Sequence, residues 1–302
     1  MSPSPTSPTP TSRAPARGRT ARARLAAVGI AAGALLAPSA LGSAAAAADT
    51  VGPWADAADA TIRPGAQTVT AGAGQCTASF VFEGTRTVGG QQVRDLYLGQ
   101  SAHCAGTGAA TSTDGCRAGS LPLGTRVDVQ GATRPATLVY SSWLTMQAVG
   151  ETDRGACAAN DFALVRLDPA DHGRVNPTVR TWGGPTGLAS VAAGDQVYTW
   201  GNSSLRLGLT ATSPKTGLVL STSNGGWTAN VYTVSPGVPG DSGSAFLGPD
   251  GAATGSLSTL ALAPLAGSNG VTDLPRALAY VARHTTLDVD LALGTEPFTP
   301  LP

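Results

Sequence analysis

Three polar residues in this chain have the side chains that nucleophilic acyl transfer requires: His103, Asp161 and Ser242. A serine hydroxyl is a weak nucleophile at neutral pH until a positioned imidazole takes its proton. The imidazole in turn needs a carboxylate to fix its tautomer and to stabilise the imidazolium. Ser242 lies within Gly240-Asp241-Ser242-Gly243-Ser244, where glycines on both sides suit a tight turn. On such a turn the N–H groups of Gly240 and Ser242 can converge on the oxygen of a tetrahedral intermediate. His103 lies in Gln100-Ser101-Ala102-His103-Cys104, and Asp161 opens the apolar run Phe162-Ala163-Leu164-Val165. A carboxylate at the head of an apolar strand is buried at a cost unless it is paired, and a histidine N–H is a natural partner. The competitors have other employment. His172 sits in a polar turn, His284 ends a helical pattern where a cation meets the helix dipole, and Asp153, Asp168 and Asp171 fall in polar loops.

The elements that must position these groups begin after a leader. Residues 1–48 run from a Pro/Ser/Thr-rich start through Arg13, Arg17, Arg19, Arg22 and Arg24 to an apolar stretch at 25–37 and a small-residue tract at 43–48. That order is expected of a secretory signal peptide cleaved near Ala48-Asp49, and the lack of adjacent arginines favours the general export route. The apolar stretch is too short to span a bilayer, so no membrane association is expected after cleavage. Five of the 19 basic residues leave with this segment, so 14 face 19 acidic residues beyond it, a net of −5. Such acidity argues against a nucleic-acid partner. The four cysteines, Cys76, Cys104, Cys116 and Cys157, all lie beyond the leader, and an even count in an exported chain predicts two disulfides among three possible pairings. A zinc site is disfavoured because no C-x-x-C or suitably spaced histidine exists; neither metal nor cofactor is expected.

From residue 62 onward short β-type runs alternate with Gly, Pro, Asn and Asp clusters. Strands are predicted at 77–82, 93–98, 125–130, 136–140, 162–167, 196–200, 205–210, 227–234 and 255–260. Many short, evenly spaced strands imply an all-β sandwich or barrel, and the pattern alone does not choose between them. One helix is predicted at the C-terminal end, with Asp273 as its cap, Pro275 in its first turn and Leu274, Leu278 and Ala282 on one apolar face. Residues 285–302, with Pro297, Pro300 and Pro302, are expected to form an extended or mobile tail. A sequon stands at Asn202-Ser203-Ser204.

Ser101-Ala102-His103-Cys104, Asp161-Phe162-Ala163-Leu164 and Gly240-Asp241-Ser242-Gly243-Ser244 resemble the Ala-Ala-His-Cys, Asp-Ile-Ala-Leu and Gly-Asp-Ser-Gly-Gly segments of chymotrypsin-like serine peptidases, particularly secreted bacterial members. The three occur in the family's order, and the resemblance covers residues 62–284. The departure is Ser244, which stands where the family has its last glycine. The resemblance implies an all-β fold of two packed six-stranded antiparallel β-barrels with a C-terminal helix. His103 and Asp161 would lie in the first barrel (62–178) and Ser242 in the second (179–284), after an N-terminal extension (49–61). It implies a secreted, monomeric endopeptidase acting on protein or peptide substrates. It also favours pairing Cys76 with Cys104, beside the histidine, and Cys116 with Cys157; Cys104 with Cys116 remains the alternative.

Further expectations follow from that resemblance. The pocket for the residue before the cleaved bond would be lined by Pro236, Val238, Ser258 and Leu260, with no carboxylate to attract Lys or Arg, so small or aliphatic residues are expected there. Asp241 matches a carboxylate that pairs with a newly cut N-terminus in animal relatives. No Ile-Val-Gly-Gly start exists here, and 49–76 is short for a folding pro-region, so Asp241 is expected to pair with an internal arginine and no activating cut to be needed. Two other classes stay open: a catalytically silent barrel acting as a binding module, and a secreted esterase. The Gly-x-Ser-x-Gly elbow of α/β-hydrolases is absent around Ser242.

Overall fold

Alternating burial along short segments builds most of this molecule. In the computed structural model, which describes residues 54–108, 113–261 and 265–300, Val127 and Val129 point inward from one strand while Arg126 and Asp128 face solvent. The expected signal peptide lies outside the described residues. Seven strands form in the first part of the chain: β1 (Gln67–Thr70), β2 (Gln75–Thr77), β3 (Val81–Val88), β4 (Gln91–Gln100), β5 (Arg126–Val129), β6 (Ala136–Ser141) and β7 (Ala163–Arg166). Helices α1 (Ser142–Val149) and α2 (Arg154–Ala159) fill the connection between β6 and β7. The second part holds β8 (Gln196–Trp200), β9 (Pro214–Ser223), β10 (Thr228–Thr233), β11 (Ala245–Leu247), β12 (Ala253–Ala261) and β13 (Ser268–Asp273). Helix α3 (Leu274–His284) and a two-residue β14 (Asp290–Leu291) follow.

All strand pairs are antiparallel. Strands β8–β13 close into the expected six-stranded barrel, in the order β10-β13-β12-β11-β8-β9. The first sheet runs β14-β3-β4-β7-β6-β5-β1-β2 and counts eight strands rather than six, because the hairpin arm β2 and the late strand β14 add to its two ends. Leu96, Leu98, Val127, Leu138 and Val165 fill the first sheet, and Val197, Val219, Val231, Phe246, Leu257 and Val271 fill the barrel. A third cluster draws on both: Phe80, Phe82, Phe162 and Leu164 meet Tyr198, Leu247 and the α3 residues Leu274, Ala277 and Val281. Each fully buried side chain of this size contributes about 1.5–3 kcal/mol, so this shared core fixes the relation between the two sheets. Asp273 caps α3 by accepting from the Arg276 N–H at 2.9 Å, as its sequence predicts.

Several segments depart from the sequence expectations or sharpen them. Residues 205–210 alternate like a strand but form tight 3-10 turns, with Leu207 in the left-handed region and Leu205, Leu207 and Leu209 exposed. The helical segments α1 and α2, and strands such as β9 and β13, carry no strand- or helix-like hydrophobic period in the sequence; β13 reads Ser-Asn-Gly-Val-Thr-Asp, yet all six residues are buried. The segment after α3 is extended but tied down. β14 pairs with β3, the Thr299 N–H donates to the Trp182 carbonyl at 2.7 Å, and Phe298 packs edge-on against Tyr198.

Candidate active site

His103 follows the end of β4 in a 3-10 turn, Ala102–Ala105, and the Cys76–Cys104 disulfide fastens that turn to β2. The second bridge joins Cys116 to Cys157, which excludes the Cys104–Cys116 alternative. Asp161 lies between α2 and β7. Its carboxylate is almost fully buried and receives three donors: the His103 backbone N–H at 2.9 Å, His103 Nδ1 at 2.6 Å and the Ser258 hydroxyl at 2.6 Å. Burial by itself would raise the Asp161 pKa, but the charge and hydrogen bond of His103, with the Ser258 bond, outweigh it and hold it below the ordinary aspartate value. Burial likewise works to lower the His103 pKa, and the Asp161 charge and hydrogen bond overcome it, so the imidazole sits above the usual histidine value. Ser258 faces Asp161 because the β12–β13 register slips between Leu257 and Thr259, making Ser258 the extra residue of a bulge. The sequence offered Ser258 only as a pocket residue; its bond to Asp161 has no local signal.

The Ser242 turn is held by its carbonyls. A peptide plane points its C=O and N–H in opposite directions. The Pro239 carbonyl accepts from the Ser203 hydroxyl at 2.5 Å, which turns the Gly240 N–H the other way. The Asp241 carbonyl accepts from the Ser244 N–H at 3.0 Å and the Ser244 hydroxyl at 2.6 Å, which does the same for the Ser242 N–H. Among the described residues neither the Gly240 nor the Ser242 N–H has an acceptor. Ser244, the departure from the family motif, is therefore buried and bonded within the turn. Gly240 and Gly243 have φ of 95° and 87°, and a side chain on Gly243 would collide with the Thr77 carbonyl. The Thr77 N–H donates to the Ser242 carbonyl at 2.8 Å and its hydroxyl to the Gly240 carbonyl at 2.7 Å, so β2 of the first sheet braces the turn from the barrel.

His103, Asp161 and Ser242 line one cavity of about 550 Å³. The Ser242 hydroxyl has no hydrogen-bond partner among the described residues, and it opens to the same space as the imidazole. Of the expected pocket residues, Val238, Ser258 and Leu260 line this cavity, and Pro236 is not among its lining residues. The Pro236 carbonyl accepts from Lys215 Nζ at 3.3 Å, and Asn269, which pairs with Leu260 across β12 and β13, also lines the cavity. Asn269 Oδ1 accepts from the Gly237 N–H at 2.9 Å, and its amide donates to Thr233 Oγ1 at 3.1 Å.

The competing residues are elsewhere. Asp153 and Asp168 cap short helices, and Asp171 accepts from Thr133 and Arg134. His284 stacks on Tyr280, and neither it nor His172 reaches the cavity. Asn202 of the sequon donates to the Gly65 carbonyl and to Gln130. Asp241 is fully buried beneath the turn and pairs with Arg206, the internal arginine, at 2.5 Å. Lys215, the single lysine of the chain, adds a second cation at 2.8 Å.

The chain is similar in shape to several solved proteases. Thermobifida fusca Protease A is 18% identical, with 76% of this chain and 99% of that one covered and a TM-score of 0.45. For Nocardiopsis protease the values are 16%, 76%, 98% and 0.43, and for Cellulomonas bogoriensis chymotrypsin 15%, 76%, 100% and 0.43. No protein-family model and no curated protein matches the sequence. The two-sheet architecture with its C-terminal helix is the one the resemblance to chymotrypsin-like peptidases implied. The chemistry has to be argued from this chain's own side chains.

Proposed function

We propose that the chain is a secreted serine endopeptidase with His103, Asp161 and Ser242 as its catalytic residues. The observation that carries this reading is the opening of three things into one cavity: the Ser242 hydroxyl, an imidazole fixed by a buried carboxylate, and two backbone N–H groups without acceptors among the described residues. Ser242 Oγ attacks the scissile carbonyl as His103 takes its proton. The Gly240 and Ser242 N–H groups then hold the oxyanion, and loss of one such donor typically costs about 2.7–4 kcal/mol. His103 returns the proton to the leaving amine, and water discharges the acyl-enzyme by the same steps. Asp161 holds the Nδ1–H tautomer, leaving Nε2 as the base.

The finer parts of the reading have narrower support. Val238, Leu257 and Leu260 give the cavity apolar walls, and among its described lining residues only His103 and Asp161 are ionisable, which favours small or aliphatic side chains before the cleaved bond. Asp241 already has Arg206 as its counter-charge, so no activating cut is needed. Two disulfides, and no described helix long and apolar enough to cross a membrane, accord with export.

A fluorophosphonate probe tests the core of this. The wild type labels and Ser242→Ala does not; an unlabelled wild type ends the reading and leaves a silent barrel. Turnover of a peptide library then separates peptidase from esterase, and a profile dominated by Arg, Lys or Trp refutes the pocket assignment. A precursor that gains activity only after N-terminal trimming refutes the claim of intrinsic activity.

A further inference from the structure

Lys215 has no part in the chemistry above, yet it occupies an unusual place. It projects from β9 with its side chain only 4% exposed, packed beside Thr199, Thr233, Ser244 and Phe246. Gly237, Leu257 and Asn269 lie against this packing and also line the substrate cavity. Lys215 Nζ reaches two points on the segment 236–241: the Pro236 carbonyl at its start and Asp241 Oδ2 at its end. Between these points lie Gly237, Val238 and Pro239, which line the substrate cavity, and Gly240, whose N–H is one of the two free donors. A buried ammonium with two acceptors is costly to leave half-paired, so the two ends of the segment are held at a fixed separation. Arg206 does not duplicate this. It bonds Asp241 and Thr212 but makes no bond to the start of the segment.

The charges add a second consequence. Two cations meet one carboxylate, which leaves the cluster one positive charge in excess directly behind the Gly240–Ser242 turn. Among the described residues, Asp241 and Arg206 are the charged groups that act on Lys215. Burial lowers the Lys215 pKa more strongly than Asp241 raises it, and Arg206 lowers it further.

We propose that Lys215 is a positioning residue for the acyl-transfer step, clamping both ends of the 236–241 segment so that the Gly240 and Ser242 N–H groups meet the developing oxyanion. The inference rests on the peptidase reading. A clamp of this kind acts on the transition state, where oxyanion contacts are made, and little on ground-state binding along β12.

The test uses the full chain and Lys215→Met, which keeps the length of the side chain and removes its charge. With active sites counted by fluorophosphonate titration, kcat per site falls at least tenfold while KM stays within twofold. The wild-type kcat also declines at alkaline pH, with a midpoint below the ordinary lysine value, and the variant lacks that limb. Unchanged kcat and pH profile, with only a lowered Tm, overturn the proposal and leave Lys215 a structural residue. If the variant does not fold, the wild-type profile decides: a kcat flat up to the pH at which near-ultraviolet dichroism reports unfolding overturns the clamp. A wild type that neither labels nor turns over substrate instead overturns the peptidase reading, and the clamp with it.

Discussion

Replacing Asp161 by asparagine probes the central hydrogen-bond arrangement with a change of one atom. The carboxylate accepts from the His103 backbone N–H through Oδ1, and from His103 Nδ1 and the Ser258 hydroxyl through Oδ2. Asparagine has one oxygen to offer. The backbone N–H is a donor in every state, so the amide oxygen takes the Oδ1 place and the NH₂ group faces Nδ1. Ser258 can rotate its hydroxyl to accept, which keeps the buried site satisfied and the variant folded. The imidazole cannot adapt without cost. Facing a donor, Nδ1 must be the unprotonated nitrogen, the proton moves to Nε2, and the ring presents N–H rather than a lone pair to Ser242. The expected loss in kcat is about 10⁴-fold, or about 5.4 kcal/mol of barrier. A second readout has its own sign. Asp161 holds the His103 pKa above the usual value, so without its charge the acid limb of kcat/KM moves to lower pH. Stopped-flow or initial-rate pH profiles on titrated enzyme measure both. A variant within tenfold of wild type, or with its acid limb unmoved, refutes the assignment of Asp161.

Three further outcomes follow from the same geometry. Ser258→Ala removes one of three donors to a buried charge and should cost about 1.5–3 kcal/mol in urea unfolding, and with less support the carboxylate should push the acid limb of kcat/KM upward. Replacing both members of a disulfide by serine should cost about 3.6 kcal/mol for Cys76–Cys104 and about 3.9 kcal/mol for Cys116–Cys157 in the chain-entropy account, from loop separations of 28 and 41 residues; equal denaturation midpoints with and without a bridge would contradict it. Asp161, Asp171 and Asp241 all titrate below the ordinary aspartate value in the folded chain. Their contribution to stability is complete above the unfolded value of about 3.9 and is lost as pH falls through their folded values. The carboxylate part of the urea midpoint should therefore drop steeply below about pH 4, while nearer neutrality His172, lowered by burial, and His103, raised by Asp161, act in opposite directions.

The local sequence determined those features whose physics is local. Period-two patterning announced strands such as β5, β6 and β10, the Asp273 cap and the apolar stripe announced α3, and the glycines around Ser242 announced a turn. His103, Asp161 and Ser242 were singled out because three short motifs resemble those of one family in the same order, and the structure places all three at one cavity. Tertiary structure decided what depends on distant neighbours. The Leu205–Leu209 alternation lost to turns that carry Arg206 to Asp241, since a buried carboxylate outranks strand propensity. The polar β13 became a fully buried strand because β10, β12 and the Gly237 N–H satisfy it from three sides. Asn269 joined the cavity lining, Ser258 turned to Asp161 through a bulge, and Lys215 found its two acceptors. All three depend on strand register and on the approach of segments tens of residues apart, which no single stretch of chain encodes.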